Sequence, residues 1–271
     1  MTSVLNACGR GHTEGRTHKL YWMKQANRRY DPSMAEAPSS DLIEDGVDPI
    51  AEDLVVSRPR AITRARWAER VFLAALIADA ALAVLAYRYA YFGWDVTVAQ
   101  RVQGVTVPGF GTSMTAVSFL GNGWLPWVLV IASGLLMIRT GLRSEAIVTL
   151  AGTALGWPVN MLLKFLIGRP RPSDALVHVA GNFHYDSFPS GHVVFFVEFF
   201  GFLFFLAYVL LKPGWLRYPS LIVLGLLICL VGLSRVYLGA HWPSDVAGAY
   251  LAGGIWLMLM IEIYRRMKTR G

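Results

Sequence analysis

Residues 221–264 read LIVLGLLICLVGLSRVYLGAHWPSDVAGAYLAGGIWLMLMIEIY. Two apolar runs, 221–238 and 246–264, are joined by one polar island, SRVYLGAHWPSD at 234–245. Each run approaches the roughly 20 apolar residues that cross a bilayer as a helix. A backbone in lipid has to pair its own N–H and C=O groups, so these runs are expected to be α-helical. The same pattern recurs upstream at 71–89, 124–138, 146–167 and 193–211, which makes six expected spans in all, with 115–123 open to extending the second. The expected fold is therefore an all-α membrane protein of six transmembrane helices.

Composition agrees. Of 271 residues, 55% are hydrophobic and 16% charged, against about 25% charged in an ordinary soluble domain. Residues 1–66 differ from the rest. Asp41, Glu44, Asp45, Asp48, Glu52 and Asp53 precede Arg58, Arg60, Arg64, Arg66 and Arg70. The division expected is a disordered polar cytoplasmic tail at 1–66 and a six-helix domain at 67–271. No cleavable signal peptide is expected, so the first span acts as the targeting signal. The net charge of +7 reads as topology and not as nucleic-acid binding, because the arginines crowd beside the first span. Cys8 and Cys229 are not expected to form a disulfide.

Loop charge sets the orientation. Arg58 to Arg70, Arg139 with Arg143, Lys212 with Arg217, and Arg265, Arg266, Lys268 and Arg270 share one side if six spans are present. That side is cytoplasmic, and both termini lie on it. Arg169 and Arg171 break the rule on the opposite side, which suggests that they bind something. Segment 95–111 reads equally as short interfacial helices or as a loop. Trp94, Trp124, Trp157 and Trp242 are expected in the interfacial belts. Asp79 and Glu198 fall within spans and are expected to be protonated or paired inside the bundle.

Two more polar islands accompany the first: KFLIGRPRP at 164–172 and FPSGH at 188–192. All three fall on the extracytoplasmic side. Lys164 and Arg171 bring a point charge and a planar fork, a pair suited to one phosphate. Ser190 is an N-cap residue, and with Gly191 it opens a helix whose free N–H groups attract anions. His192 follows on the first turn. Arg235 adds a second guanidinium. His241 and Asp245 stand four residues apart, so a carboxylate can hold one ring nitrogen and leave the other with a free lone pair. If Trp242 and Pro243 delay the helix, Asp245 reaches back over a turn. Read singly, each island has a plainer explanation: a snorkelling lysine, a capped helix start, a structural histidine.

Together the islands resemble the three-part motif K-x6-R-P, P-S-G-H, S-R-x5-H-x3-D of the type 2 phosphatidic acid phosphatase (PAP2) and vanadium haloperoxidase superfamily, in its membrane lipid phosphatase branch. Lys164, Arg171 and Pro172 match the first part, Pro189 to His192 the second, and Ser234, Arg235, His241 and Asp245 the third, with no departure. The resemblance implies a lipid phosphatase. His241 would be the nucleophile that forms a phosphohistidine, Asp245 its orienter and His192 the general acid and then base. Lys164, Arg171, Ser190, Gly191 and Arg235 would bind the phosphoryl oxygens. No metal or other cofactor is implied. The expected partners are a lipid phosphate and the bilayer, with the enzyme in a bacterial inner membrane and its site facing the periplasm. Isoprenyl diphosphate, phosphatidate and phosphatidylglycerol phosphate are the candidate substrates, the first being favoured. A phosphotransferase using the same histidines, a haloperoxidase, and a non-catalytic lipid-phosphate binder or transporter are the rivals.

Overall fold

The computed structural model describes residues 58–270, with side chains at 67 and from 69 to 269. The acidic stretch, Cys8 and the rest of the expected tail up to residue 57 lie outside the described residues. What is described is helical throughout. The helices are α1 (Arg58–Arg88), α2 (Gly93–Gln103), α3 (Phe110–Phe119), α4 (Leu125–Arg139), α5 (Arg143–Ile167), α6 (Gly191–Leu210), α7 (Arg217–Tyr237) and α8 (Pro243–Arg270).

Five of these, α1, α5, α6, α7 and α8, are long and apolar enough to cross a membrane. α4 is apolar but has only 15 residues, fewer than a perpendicular span of the hydrocarbon core needs. Its expected extension through 115–123 does not form. α3 ends at Phe119, and tight turns carry the chain through Gly121 and Asn122 before Pro126 opens α4. Segment 95–111, open between loop and helices, contributes α2 and the start of α3.

α6 is the central helix. In its most apolar window 61% of residues are buried, against 6% for α1, so α1 lies at the rim and α6 in the middle. α6 packs on α5, α7 and α8, while α4 packs on α5 and α3 on α7. Phe196, Phe199, Phe200 and Val193 of α6 meet Val231 and Val236 of α7 and Val246 and Ala249 of α8 in the main core. Between helices in lipid there is no water to expel, so this core rests on close packing and on interhelical hydrogen bonds. Ser234 supplies one such bond, donating to the Met114 carbonyl at 2.7 Å and fastening α7 to α3.

The helix ends place the chemistry. α5 stops because Gly168 adopts φ 60° and returns its N–H to the Lys164 carbonyl, a left-handed cap that glycine adopts at no steric cost. The chain then runs without regular helix from 168 to 190. It is tied down at intervals: Ser187 N–H donates to the Arg169 carbonyl, Ala180 N–H to the Leu238 carbonyl, and Gln103 brackets His178 with two bonds. Trp242 departs from the expected belt. It is buried, its indole N–H donates to the Pro170 carbonyl at 3.3 Å, and its ring packs on Tyr91. Trp94, Trp124 and Trp157 are exposed.

Candidate active site

Three chain ends converge on one cavity of about 640 Å³. Lys164 arrives from the last turn of α5, Gly191 and His192 from the first turn of α6, and Arg235 from the last turn of α7; Arg171 and His241 come from the connecting segments. Both imidazoles therefore line the same space. Ser190 stands at the N-cap of α6, yet its Oγ caps nothing; it is buried without a partner and, unlike Gly191 and His192, does not line the cavity. Asp245 does not reach the cavity and lies behind His241.

Backbone oxygens hold Lys164 and Arg171, and a serine hydroxyl holds Arg235. Lys164 Nζ donates to the Asp186 carbonyl at 2.7 Å and the Ser187 carbonyl at 3.3 Å. Arg171 donates to the carbonyls of Tyr185 (2.8 Å), His184 (2.9 Å) and Ala240 (2.6 Å). Arg235 Nη1 donates to Ser118 Oγ, while its Nε is buried without a partner. The Phe183 ring lies 5.6 Å from the Arg171 guanidinium and 5.2 Å from that of Arg235. Both contacts are of the cation–π kind. Neutral carbonyl and hydroxyl oxygens solvate these charges without neutralising them, so the site keeps a net positive field for an anion.

His241 is oriented by its two neighbours. Arg171 Nη1 lies 3.2 Å from Nε2. Arginine can only donate, so Nε2 bears the lone pair and Nδ1 the proton. Nδ1 faces Ser187 Oγ at 3.4 Å, and Ser187 Oγ donates to Asp245 Oδ2 at 2.5 Å. The direct distance from Nδ1 to Asp245 Oδ2 is 3.8 Å. The direct ring-to-carboxylate bond expected from the spacing is thus replaced by a link through a serine hydroxyl. α8 begins only at Pro243, so Asp245 does reach back over a turn and accepts the Trp242 N–H at 2.9 Å. Burial, and behind it the charges of Lys164, Arg171 and Arg235, hold the His241 ring well below the ordinary histidine range. The imidazole is neutral, with its lone pair on the cavity side.

His192 turns its Nε2 to Asn122 Oδ1 at 2.7 Å. Its ring lies against Gly121, where any Cβ would overlap it. The turn between α3 and α4 therefore sets the second histidine.

Arg169 takes a different place from Arg171. It is 1% exposed and is absent from the cavity lining. Its Nη1 bonds Asp245 Oδ1 at 2.5 Å and Ser244 Oγ at 2.7 Å, and its Nη2 bonds Asp95 Oδ2 at 3.2 Å. Asp95 also accepts the Ser244 N–H and hydroxyl and the Phe92 N–H. Of the two basic residues that broke the charge rule, Arg169 is consumed in a buried Asp95–Arg169–Asp245 network. Sequence reasoning overlooked Asp95, Ser187, Asn122 and Ser118. Only Asp95, an acid in a mixed loop, gave a signal, and its partner lies 74 residues away. Among the described residues no three His, Cys, Asp or Glu side chains gather as a metal-binding group.

The sequence model described as the PAP2 superfamily matches residues 145–268. Phosphatidylglycerophosphatase B of Bacillus subtilis strain 168 is 30% identical over 205 residues, which cover 73% of this chain and 95% of that protein. The chain belongs to the PAP2 superfamily. A lipid A 1-phosphatase of Rhizobium etli is 34% identical over 114 residues, 39% of this chain and 44% of that one. The crystal structure of a transmembrane PAP2-type phosphatidylglycerolphosphate phosphatase from Bacillus subtilis superposes with a TM-score of 0.63, covering 72% of this chain and 96% of that one at 24% identity. The fold is shared with that membrane enzyme, and the protein is a PAP2-type phosphatase integral to a membrane.

Proposed function

We propose that the protein hydrolyses the terminal phosphate of a membrane lipid, a monoester or a diphosphate, through a phosphohistidine on His241. The observation that carries this reading is the pairing of Nε2 with Arg171 and of Nδ1 with the Ser187–Asp245 relay. It leaves a neutral, correctly tautomerised nitrogen at the wall of a cationic cavity.

The chemistry runs in two displacements. In the first, the Nε2 lone pair attacks phosphorus, the bond from phosphorus to the lipid oxygen breaks, and His192 gives that oxygen a proton. In the second, water attacks phosphorus, His192 takes the water proton, the P–N bond breaks, and inorganic phosphate leaves with His241 neutral again. Lys164, Arg171, Arg235 and the backbone N–H groups around Ser190 and Gly191 at the start of α6 hold the three non-bridging oxygens. Their fixed positive field supplies the charge stabilisation on which phosphoryl transfer depends. The unpartnered Arg235 Nε, on a residue that lines the cavity, is a donor free for this task.

The apolar part of the lipid enters from the bilayer, because the cavity continues from the cations down between α4, α5 and α6 past Trp127 and Val130. A six-span arrangement, with α4 as the shortest, puts both termini on the cytoplasmic side and the site on the other, as the loop charges require.

The test is phosphate release from short-chain lipid phosphates in detergent, with excess chelator present. Release of free phosphate that survives chelation is expected. An acid quench should trap label on the native protein and none on His241→Ala; label of equal strength on that variant overturns the assignment.

A further inference from the structure

Charge is plentiful around the phosphate cavity, whereas free N–H groups are few. A lysine ammonium carries three N–H donors and an arginine guanidinium five. Lys164 gives two of its three to the Asp186 and Ser187 carbonyls, which leaves one. Arg171 directs four of its five at the Tyr185, Ala240 and His184 carbonyls and at His241 Nε2, which again leaves one. Both cations are anchored in this way, and each keeps a single N–H for an anion. A phosphoryl group brings three strongly accepting oxygens. On this side of the cavity the field is supplied and the directional bonds fall short.

One neutral side chain stands at the same place. Asn160 is four residues before Lys164 on α5, so the two share a face, one turn apart. Like Lys164 it lines the cavity, and it is 6% exposed. Its Oδ1 is buried without a partner, so the open edge of the amide is Nδ2. Nδ2 lies 3.6 Å from the point where a Cβ on Gly191 would stand, and Lys164 Cε lies 3.9 Å from that point. Gly191 opens α6, where backbone N–H groups without helical partners gather. The Asn160 amide, the Lys164 stem and the first turn of α6 therefore meet. Glu198 also lines the cavity, with no ion pair among the described residues. Its carboxyl group lies against Gly156, one turn deeper on α5 than Asn160. An amide buried with idle donors is costly, and an oxyanion beside Gly191 uses them.

Resting on the phosphatase reading above, we infer that Asn160 is a further catalytic residue, whose Nδ2 donates to a non-bridging oxygen of the phosphoryl group beside Lys164 and the first N–H groups of α6. The bond follows that oxygen from the lipid phosphate through the phosphohistidine to inorganic phosphate. No proton moves along it. The amide adds a fixed dipole where charge shifts during transfer. The contact reads the phosphoryl group that every lipid phosphate shares and does not choose among lipids.

The probe is orthovanadate, whose five-coordinate adducts imitate a phosphoryl group in transit. Its binding is read in detergent in two ways: as a shift in thermal unfolding, which also reports the fold of each variant, and as inhibition of phosphate release from dioctanoyl phosphatidate. Asn160→Leu removes the donor. Asn160→Asp exchanges the NH2 for an oxygen of nearly the same size. In both, kcat/KM should fall by about 10²-fold, the usual loss for one such donor. The vanadate Ki should rise by at least about tenfold, because an analogue of the transition state loses the same bond. Glu198→Gln should leave the vanadate Ki nearly unchanged. A nearly unchanged Ki in a folded Asn160 variant overturns the contact. So does a rise in Glu198→Gln as large as in Asn160→Leu, which would trace the loss to the packing of α5 on α6. Should Asn160→Leu not fold, the near-isosteric Asn160→Asp decides. No phosphate released by the unaltered protein from any lipid phosphate overturns the phosphatase reading instead, and the vanadate shift in thermal unfolding still decides the contact.

Discussion

At the level of single residues, the two histidines of the site keep different company, as the proposed division of labour between them needs. His241 is set among three cations and a serine relay, which keep it neutral with its lone pair on the cavity side. His192 faces Asn122, a neutral partner that tolerates either protonation state. Ser187 links ring to carboxylate, so Ser187→Ala is expected to lower kcat by about tenfold or more, the worth of a charge-assisted hydrogen bond, with KM little changed; steady-state kinetics on any accepted substrate checks it. His192→Ala should cost about 10²–10⁴-fold, the usual contribution of a general acid, with part regained on an aryl phosphate whose leaving oxygen needs no proton. The depressed pKa of His241 also sets a sign for stability. An unfolded chain protonates this histidine near pH 6.5, whereas the native one resists to lower pH. Between those points the unfolded state binds more protons, so stability falls as pH falls below about 6.5. Thermal unfolding at pH 7.5 and 5.5 should show this loss, and His241→Asn should show less of it. Lys164, Arg171, His192, Arg235, His241 and Asp245 are all legible as a group in the sequence, because their spacing is fixed by helix ends. Ser187 is not, since a serine in an irregular loop carries no pattern.

At the level of elements, the buried Asp95–Arg169–Asp245 network joins α2, the 168–190 segment and α8. Loop charge alone marked Arg169 as a ligand-binding residue. The reading failed because loop charge tells where a basic residue lies along the chain and nothing of which neighbours its side chain meets: Arg171 lines the cavity, whereas Arg169 bonds Asp95, Ser244 and Asp245. One faces the cavity and the other faces α2 and α8. α2 itself was equally readable as a loop, and what makes it necessary is Asp95, whose carboxylate completes the network. Arg169→Met would leave two buried carboxylates facing each other. A loss of about 3–5 kcal/mol is expected, the cost of breaking a buried ion pair from one side. Thermal or denaturant unfolding in detergent measures it. Asp95→Asn with Arg169→Met should lose less than the sum of the two single changes, since the second removes a charge that the first has stranded.

For the whole molecule, apolar run length made the long helices plain in the sequence, and the order of burial among them was hidden. Every run reads as equally greasy in a chain where lipid and core have the same polarity. α1 and α6 differ tenfold in buried share with no comparable difference in composition. The short α4 is the element on which topology turns. If it crosses, its 15 residues reach across about 22 Å at 1.5 Å per residue, so the bilayer thins or the flanking Arg139 and Trp124 snorkel to meet the interface. The cationic cavity then opens away from the cytoplasm, at the surface where the 168–190 segment lies. Single cysteines resolve this in a chain whose own Cys8 and Cys229 have been replaced. A cysteine at Asp174 should react with a membrane-impermeant maleimide added outside intact cells. A cysteine at Lys212, in the α6–α7 loop, should react only after the cells are opened. The reverse pattern would put the site on the cytoplasmic face, and equal labelling of both from outside would mean that α6 does not span.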